Sequence, residues 1–210
     1  MFTKANICSL IIIVFHLVGL YGFLNPALHD LFIKLVPSHL LLMLLLLIIS
    51  GFDGSKNMVL FALSVYTAGF LVEVAGVNTG LIFGSYTYGS TLGIKLWNTP
   101  LLIGVNWLLL VYSTGVFLRG YNLNRWVLAF LGAILLVGTD FLIEPVAVRY
   151  NYWSWSGGII PLQNYIGWFF VSFMMFILFN SFQFRKRNTA ANVLFVAQIC
   201  FFIILNIWST

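Results

Sequence analysis

An all-α integral membrane fold, a bundle of about seven transmembrane helices, is what this sequence predicts, and three observations carry the prediction. Apolar runs recur along the chain at close to the ~20 residues that cross a hydrocarbon core. Only 7% of the 210 residues are charged and 61% are hydrophobic, whereas soluble domains carry about 25% charged residues. The net charge of +5 comes from the short segments between the runs, so it reports on topology and not on nucleic acid. One polytopic domain, 1–210, follows.

The expected spans are 7–24, 35–52, 58–77, 99–118, 126–145, 161–182 and 191–208. The first follows Lys4 and resembles a signal peptide, but no small-residue cleavage site follows it and Tyr21-Gly22-Phe23 continues apolar. It reads as a retained helix. The second is the weakest, because Pro37 and His39 sit near its start. Two connections, 78–98 and 146–160, are long and rich in Gly, Tyr, Trp, Ser and Asn, and read as structured caps. Basic residues set the orientation. With a cytoplasmic N-terminus, the inner side holds Lys4, Lys56, Arg119, Arg125, Arg185, Lys186 and Arg187, and the outer side Lys34, Lys95 and Arg149. Both long aromatic loops then lie outside. A faint internal echo accompanies this layout: Pro100-Leu101 precedes Trp107 as Pro161-Leu162 precedes Trp168.

Five residues are acidic. Asp30 and Asp53 are expected in short loops. Glu73, Asp140 and Glu144 fall inside predicted spans, where an ionisable group costs at least about 2.5–3.5 kcal/mol on insertion scales. Asp140 and Glu144 are four apart and share one helix face. Pro145 weakens the local ladder. Topology places all three acids in the outer half of the bilayer, beneath both long loops. They either hold helices together, pairing with Arg149 or Lys95, or they do chemistry. In a dry site a carboxyl group favours its neutral form, and a neutral carboxylic acid can act as a general acid.

Around them stand Asn78, Thr79, Phe83, Tyr86, Tyr88, Trp97, Asn106 and Trp107. The second loop and the span after it add Arg149, Tyr150, Tyr152, Trp153, Trp155, Gln163, Asn164, Tyr165 and Trp168. An interfacial aromatic belt explains part of this. It does not require the amides, nor Gly76, Gly80, Gly84, Gly157 and Gly158, which suit tight turns and close approach. Aromatic faces stabilise a nearby cation. A proton donor, π faces and water-holding amides together suit protonation of an alkene and capture of the carbocation. The seventh span has no lysine for a retinal Schiff base. His16, His29 and His39 lack metal spacing and read as packing or interfacial residues, and Cys8 and Cys200 as packing residues. No phosphate loop, nucleophile elbow or Asp-rich diphosphate motif is present.

The stretch from Glu73 to Tyr88, EVAGVNTGLIFGSYTY, resembles the signature of the membrane carotenoid biosynthesis family, which contains carotenoid 1,2-hydratases and bisanhydrobacterioruberin hydratase. So does Asp140-Phe-Leu-Ile-Glu-Pro145, followed by Tyr152-Trp-Ser-Trp155, Gly157-Gly158, Pro161, Asn164 and Gly167-Trp168. The specific part covers about 58–175. Glu144 departs from the pattern, which is expected to carry Asp there. The resemblance implies a hydro-lyase adding water to the terminal 1,2 double bond of an acyclic end, lycopene-like or γ-carotene-like. Asp140 or Glu73 would deliver the proton, and Glu144 would steer water with Asn78 or Asn164. No cofactor or metal is implied. The implied partners are the carotenoid, water, the lipid bilayer and other carotenoid-pathway enzymes, in a prokaryotic plasma membrane. A lycopene-cyclase-like enzyme and a non-catalytic carotenoid-binding protein are the rival readings.

Overall fold

The computed structural model describes residues 3–51 and 53–208. Seven helices are long and apolar enough to cross a membrane. They are α1 (Lys4–Leu24), α2 (His29–Gly51), α3 (Lys56–Thr79), α4 (Leu102–Arg119), α5 (Arg125–Arg149), α6 (Leu162–Ser181) and α7 (Thr189–Trp208). Successive helices run in alternate directions. The ends of α3 and α5 therefore share a face with the starts of α4 and α6, and both long connections cover that face.

Helices running toward the cap begin with a side chain that accepts their unpaired N–H groups. Thr3 accepts from Asn6 N at 3.2 Å, Ser55 from Met58 N at 3.1 Å, and Asn124 from Trp126 N and Val127 N at 3.0 Å each. Asn188 accepts from Ala190 N at 3.0 Å and donates to Leu47 O at 3.2 Å. It therefore starts α7 and ties that start to α2. Loss of a cap of this kind costs about 0.5–2 kcal/mol. Asn188→Ala is expected at the upper end of that range, because it also leaves buried groups unpaired; thermal unfolding in detergent measures this.

Two boundaries differ from expectation. The second helix begins at His29, so Asp30 lies in its first turn and not in a loop. A carboxylate there faces the positive end of the helix dipole. Pro37 sits inside this helix, as proline can where neighbouring groups re-satisfy the freed carbonyl. The expected end at 52 lies outside the described residues. The fifth helix likewise continues through Pro145 to Arg149.

Buried side chains concentrate on α4, whose Trp107, Leu109, Val111, Ser113 and Thr114 are all enclosed. The other helices surround it, with α5 packed along α6, α1 along α7 and α3 along α4. Close approach of α3 to α4 depends on Gly69, where a Cβ would stand 2.6 Å from Trp107 Cβ.

The two connections form a small antiparallel cap. Strand β1 (Tyr86–Tyr88) pairs with β4 (Trp153–Trp155), in the register Tyr86 to Trp155 and Tyr88 to Trp153. A short hairpin, β2 (Lys95–Leu96) with β3 (Thr99–Pro100), lies beside it. Its turn residues Trp97 and Asn98 both have positive φ, 51° and 64°, as a tight two-residue hairpin turn requires. Gly89 N donates to Tyr152 O at 2.8 Å, and a Cβ on Gly89 would fall 1.9 Å from the Asn151 carbonyl oxygen. Gly89→Ala is therefore expected to break this end of the cap, seen as faster amide exchange in 86–88 and 153–155.

Candidate active site

Strand alternation decides what the cap presents to the bundle. Successive side chains point to opposite faces. Thr87 and Ser154 point outward and touch each other at 3.1 Å. Tyr86, Tyr88, Trp153 and Trp155 are buried and point down onto the acids.

Each acid receives side-chain donors. Tyr86 and Tyr88 donate their hydroxyls to Glu73 Oε2 at 2.6 and 2.7 Å, and Trp107 Nε1 donates to Glu73 Oε1 at 2.9 Å. Trp153 and Trp155 donate their indole N–H groups to Glu144 Oε2 at 3.0 and 2.8 Å. Asn164 bridges the remaining pair, donating to Asp140 Oδ2 at 2.7 Å and Glu144 Oε1 at 3.3 Å. All three acids are buried, Asp140 completely. Every donor reaching them is a neutral group. Asp140 Oδ1 is buried and has no hydrogen-bond partner.

The cap tyrosines stay protonated. Burial first, and then the charge of Glu73, push both phenols well above their ordinary range. Their O–H groups therefore remain donors at any physiological pH.

The acids lie deeper than the sequence suggests. At 1.5 Å per residue, Glu73 is about 9 Å below the end of α3, Asp140 about 13 Å and Glu144 about 8 Å below the end of α5. Beneath the cap, Trp107 and Trp168 stack with centroids 4.3 Å apart and planes at 21°. Phe83 is buried against Tyr86, and the Tyr86 ring lies 5.0 Å from Trp155.

Other expected site residues serve the scaffold. Asn78 donates to Val74 O at 2.7 Å and Trp97 O at 3.1 Å, and accepts from Asn98 at 3.0 Å, so it braces the hairpin. Thr79 donates to Ala75 O at 2.6 Å, and Gln163 ties α6 to Gly80 O and Leu81 O at 3.1 and 2.6 Å. Lys95 donates to Tyr88 O. Trp97 is largely exposed. Arg149 is exposed at the end of α5, and among the described residues neither it nor Lys95 pairs with one of the three acids.

Two spaces flank the cluster. A lipid-facing groove of about 300 Å³ between α5 and α6 is lined by Ile134, Val137, Tyr165, Ile166, Phe169 and Phe170. On the other side of α5 a cavity of about 280 Å³ reaches Ile143, Tyr152, Trp153 and Asn106 and extends down to His16, His39 and Gln198. Helical spacing puts Asp140 between Val137, on the groove, and Ile143, on the cavity. The His16–His39–Gln198 group was not legible as a site. Each residue is alone in an apolar run of a different helix, and a mid-helix glutamine was the one available signal.

Residues 33–210 match the model of the family described as carotenoid biosynthesis protein. The chain belongs to that family. It is also similar to bisanhydrobacterioruberin hydratase of Haloarcula japonica, 31% identical over 144 residues, which is 61% of this chain and 46% of that protein. The match thus spans less than half of that relative's length. No solved structure matches the chain significantly.

Proposed function

We propose that the protein is a carotenoid hydratase, adding water across the terminal 1,2 double bond of an acyclic, lycopene-like or γ-carotene-like end. The observation that carries the reading is Asp140 Oδ1, a buried carboxyl oxygen with no hydrogen-bond partner. An unpaired charge there would be costly, whereas a carboxylic O–H with no protein acceptor is available to an alkene. The hydratase relative agrees with this reaction class.

In the proposed reaction Asp140 transfers its proton to C2, and the electrons of the double bond form the new C–H bond. The positive charge falls on tertiary C1, sheltered by aromatic faces. Water attacks C1 and loses a proton to Glu144, which Asn164 and two indoles hold in place. Proton exchange between Glu144 and Asp140 resets the pair. The sum is H on C2 and OH on C1, which is redox-neutral and needs no cofactor. Glu73, with both oxygens occupied, is a positioning residue that anchors the cap. The α5–α6 groove offers the carotenoid end lateral access from the bilayer. The reading places the enzyme in a prokaryotic plasma membrane, with a cytoplasmic N-terminus and the cap outside.

Pigment analysis in a host making lycopene and γ-carotene, with and without this gene, tests the reading. A product heavier by one water, carrying a tertiary hydroxyl, is expected. An isomer of unchanged mass with a new ring would instead make the protein a cyclase. Unaltered pigments would overturn both reactions for these substrates.

A further inference from the structure

The cavity between α1, α2, α4, α5 and α7 has none of the three acids in its wall, and of its polar groups only the Trp153 indole enters the proposed reaction, through Glu144. Its walls are mostly apolar, with Phe15, Phe23, Phe32, Leu35, Phe201 and Phe202 among them. Its lower end is not apolar. Gln198 is 8% exposed, lines the cavity, and its Oε1 is buried with no hydrogen-bond partner. His16 and His39 meet there with ring centroids 5.0 Å apart. The Nδ1 of His16 is 2.8 Å from the Ile12 carbonyl oxygen. That oxygen can only accept, so Nδ1 carries the proton and Nε2 is left as an acceptor. Ser38 also lines this end.

Depth gives the cavity a direction. His16, His39 and Gln198 lie about 12–15 Å below the cap-side ends of their helices, near mid-membrane. Tyr152 and Trp153 close the upper end. A buried amide oxygen without a partner is costly in such surroundings, and His16, in the wall of the same cavity, offers a second acceptor.

We infer that this cavity binds a neutral, hydroxyl-bearing isoprenoid chain, with the chain along the aromatic walls and the hydroxyl donating to Gln198 Oε1 or His16 Nε2. Acceptors select a donor, and the absence of Lys and Arg from the lining selects against phosphates and diphosphates. The volume of about 280 Å³ lies just below the range of small-molecule pockets, about 300–1,000 Å³. It therefore suits one end of a long chain. The isoprenoid class rests on the proposed function, whose product, a tertiary alcohol, has this chemistry. The preference for a hydroxyl rests on the cavity alone.

The test is equilibrium binding of geranylgeraniol to the full-length protein in phosphatidylcholine nanodiscs, in parallel with the hydrocarbon lacking the hydroxyl and with geranylgeranyl diphosphate. Saturable binding of the alcohol at least about 10-fold tighter than either comparison is expected. Gln198→Leu, which removes the acceptor from an apolar setting, should erase the advantage over the hydrocarbon. Val36→Trp, which fills the cavity from its wall, should abolish binding of both. Thermal unfolding confirms that each variant folds; if one does not, the other decides. Equal affinity for alcohol and hydrocarbon, or tighter binding of the diphosphate, would overturn the inference. Binding is read without turnover. A hydroxyl preference in a protein that leaves pigments unaltered would therefore sink the hydratase reading and keep this site, and the reverse pattern would do the opposite.

Discussion

Asp140→Asn should abolish the hydrated pigment while leaving the protein folded. The amide has the shape of the acid and its carbonyl oxygen can still accept from Asn164, now 2.7 Å from Oδ2. What it lacks is an acidic proton at the Oδ1 position, which has no hydrogen-bond partner. General acid catalysis contributes about 10²–10⁴-fold, so hydroxylated product should fall by at least about 100-fold in pigment extracts. Thermal unfolding of the purified variant should match the parent. Hydroxylated product within a few-fold of the parent would remove Asp140 from the chemistry. Glu144→Gln probes the other half of the pair. Its carbonyl oxygen still accepts from Trp153 and Trp155, but it cannot take a proton from water. The expected loss is again large, with the cap intact.

Glu73→Leu is expected to act through stability. Three buried donors, on Tyr86, Tyr88 and Trp107, end on this carboxylate. Each unpaired buried donor costs about 1–3 kcal/mol, so a total on the order of 3–5 kcal/mol follows after relaxation. Thermal unfolding in detergent should record the loss, with faster exchange of the β1 and β4 amides. Converting Tyr86 and Tyr88 to Phe in the same chain removes two orphaned hydroxyls. The triple variant should then be more stable than Glu73→Leu alone, a coupling of about 1 kcal/mol or more. An additive result would mean that Glu73 does not anchor the cap.

Much of the architecture was legible because bilayer thickness imposes a length. Each apolar run had to be about 20 residues, and seven such helices form. Where the runs met proline the sequence was less informative, as at Pro37 and Pro145, because neighbouring groups in the folded bundle decide whether a helix passes through. The acids were legible because charge in a membrane is expensive. The internal echo also acquires a physical meaning. Its matching tryptophans, Trp107 and Trp168, stack on each other, and the strands that follow the two acidic helices pair with each other.

The division of labour among the surrounding residues was not legible. Asn78, Thr79 and Gln163 have the same polar character as Asn164, yet only Asn164 reaches the acids. Which donor serves which acid depends on the β1–β4 register between segments more than sixty residues apart, and a shift of one residue would turn Thr87 and Ser154 inward. The setting of Gln198, in one cavity wall with His16 and His39, depends on three helices meeting. By itself, the sequence determined the membrane, the helix number and the trio of acids, because hydration energy acts on each residue wherever the chain goes. Only the tertiary structure decided the pairing of donors with acids, the unpartnered oxygen of Asp140 and the polar floor of the cavity, because those depend on distances between residues far apart in the chain.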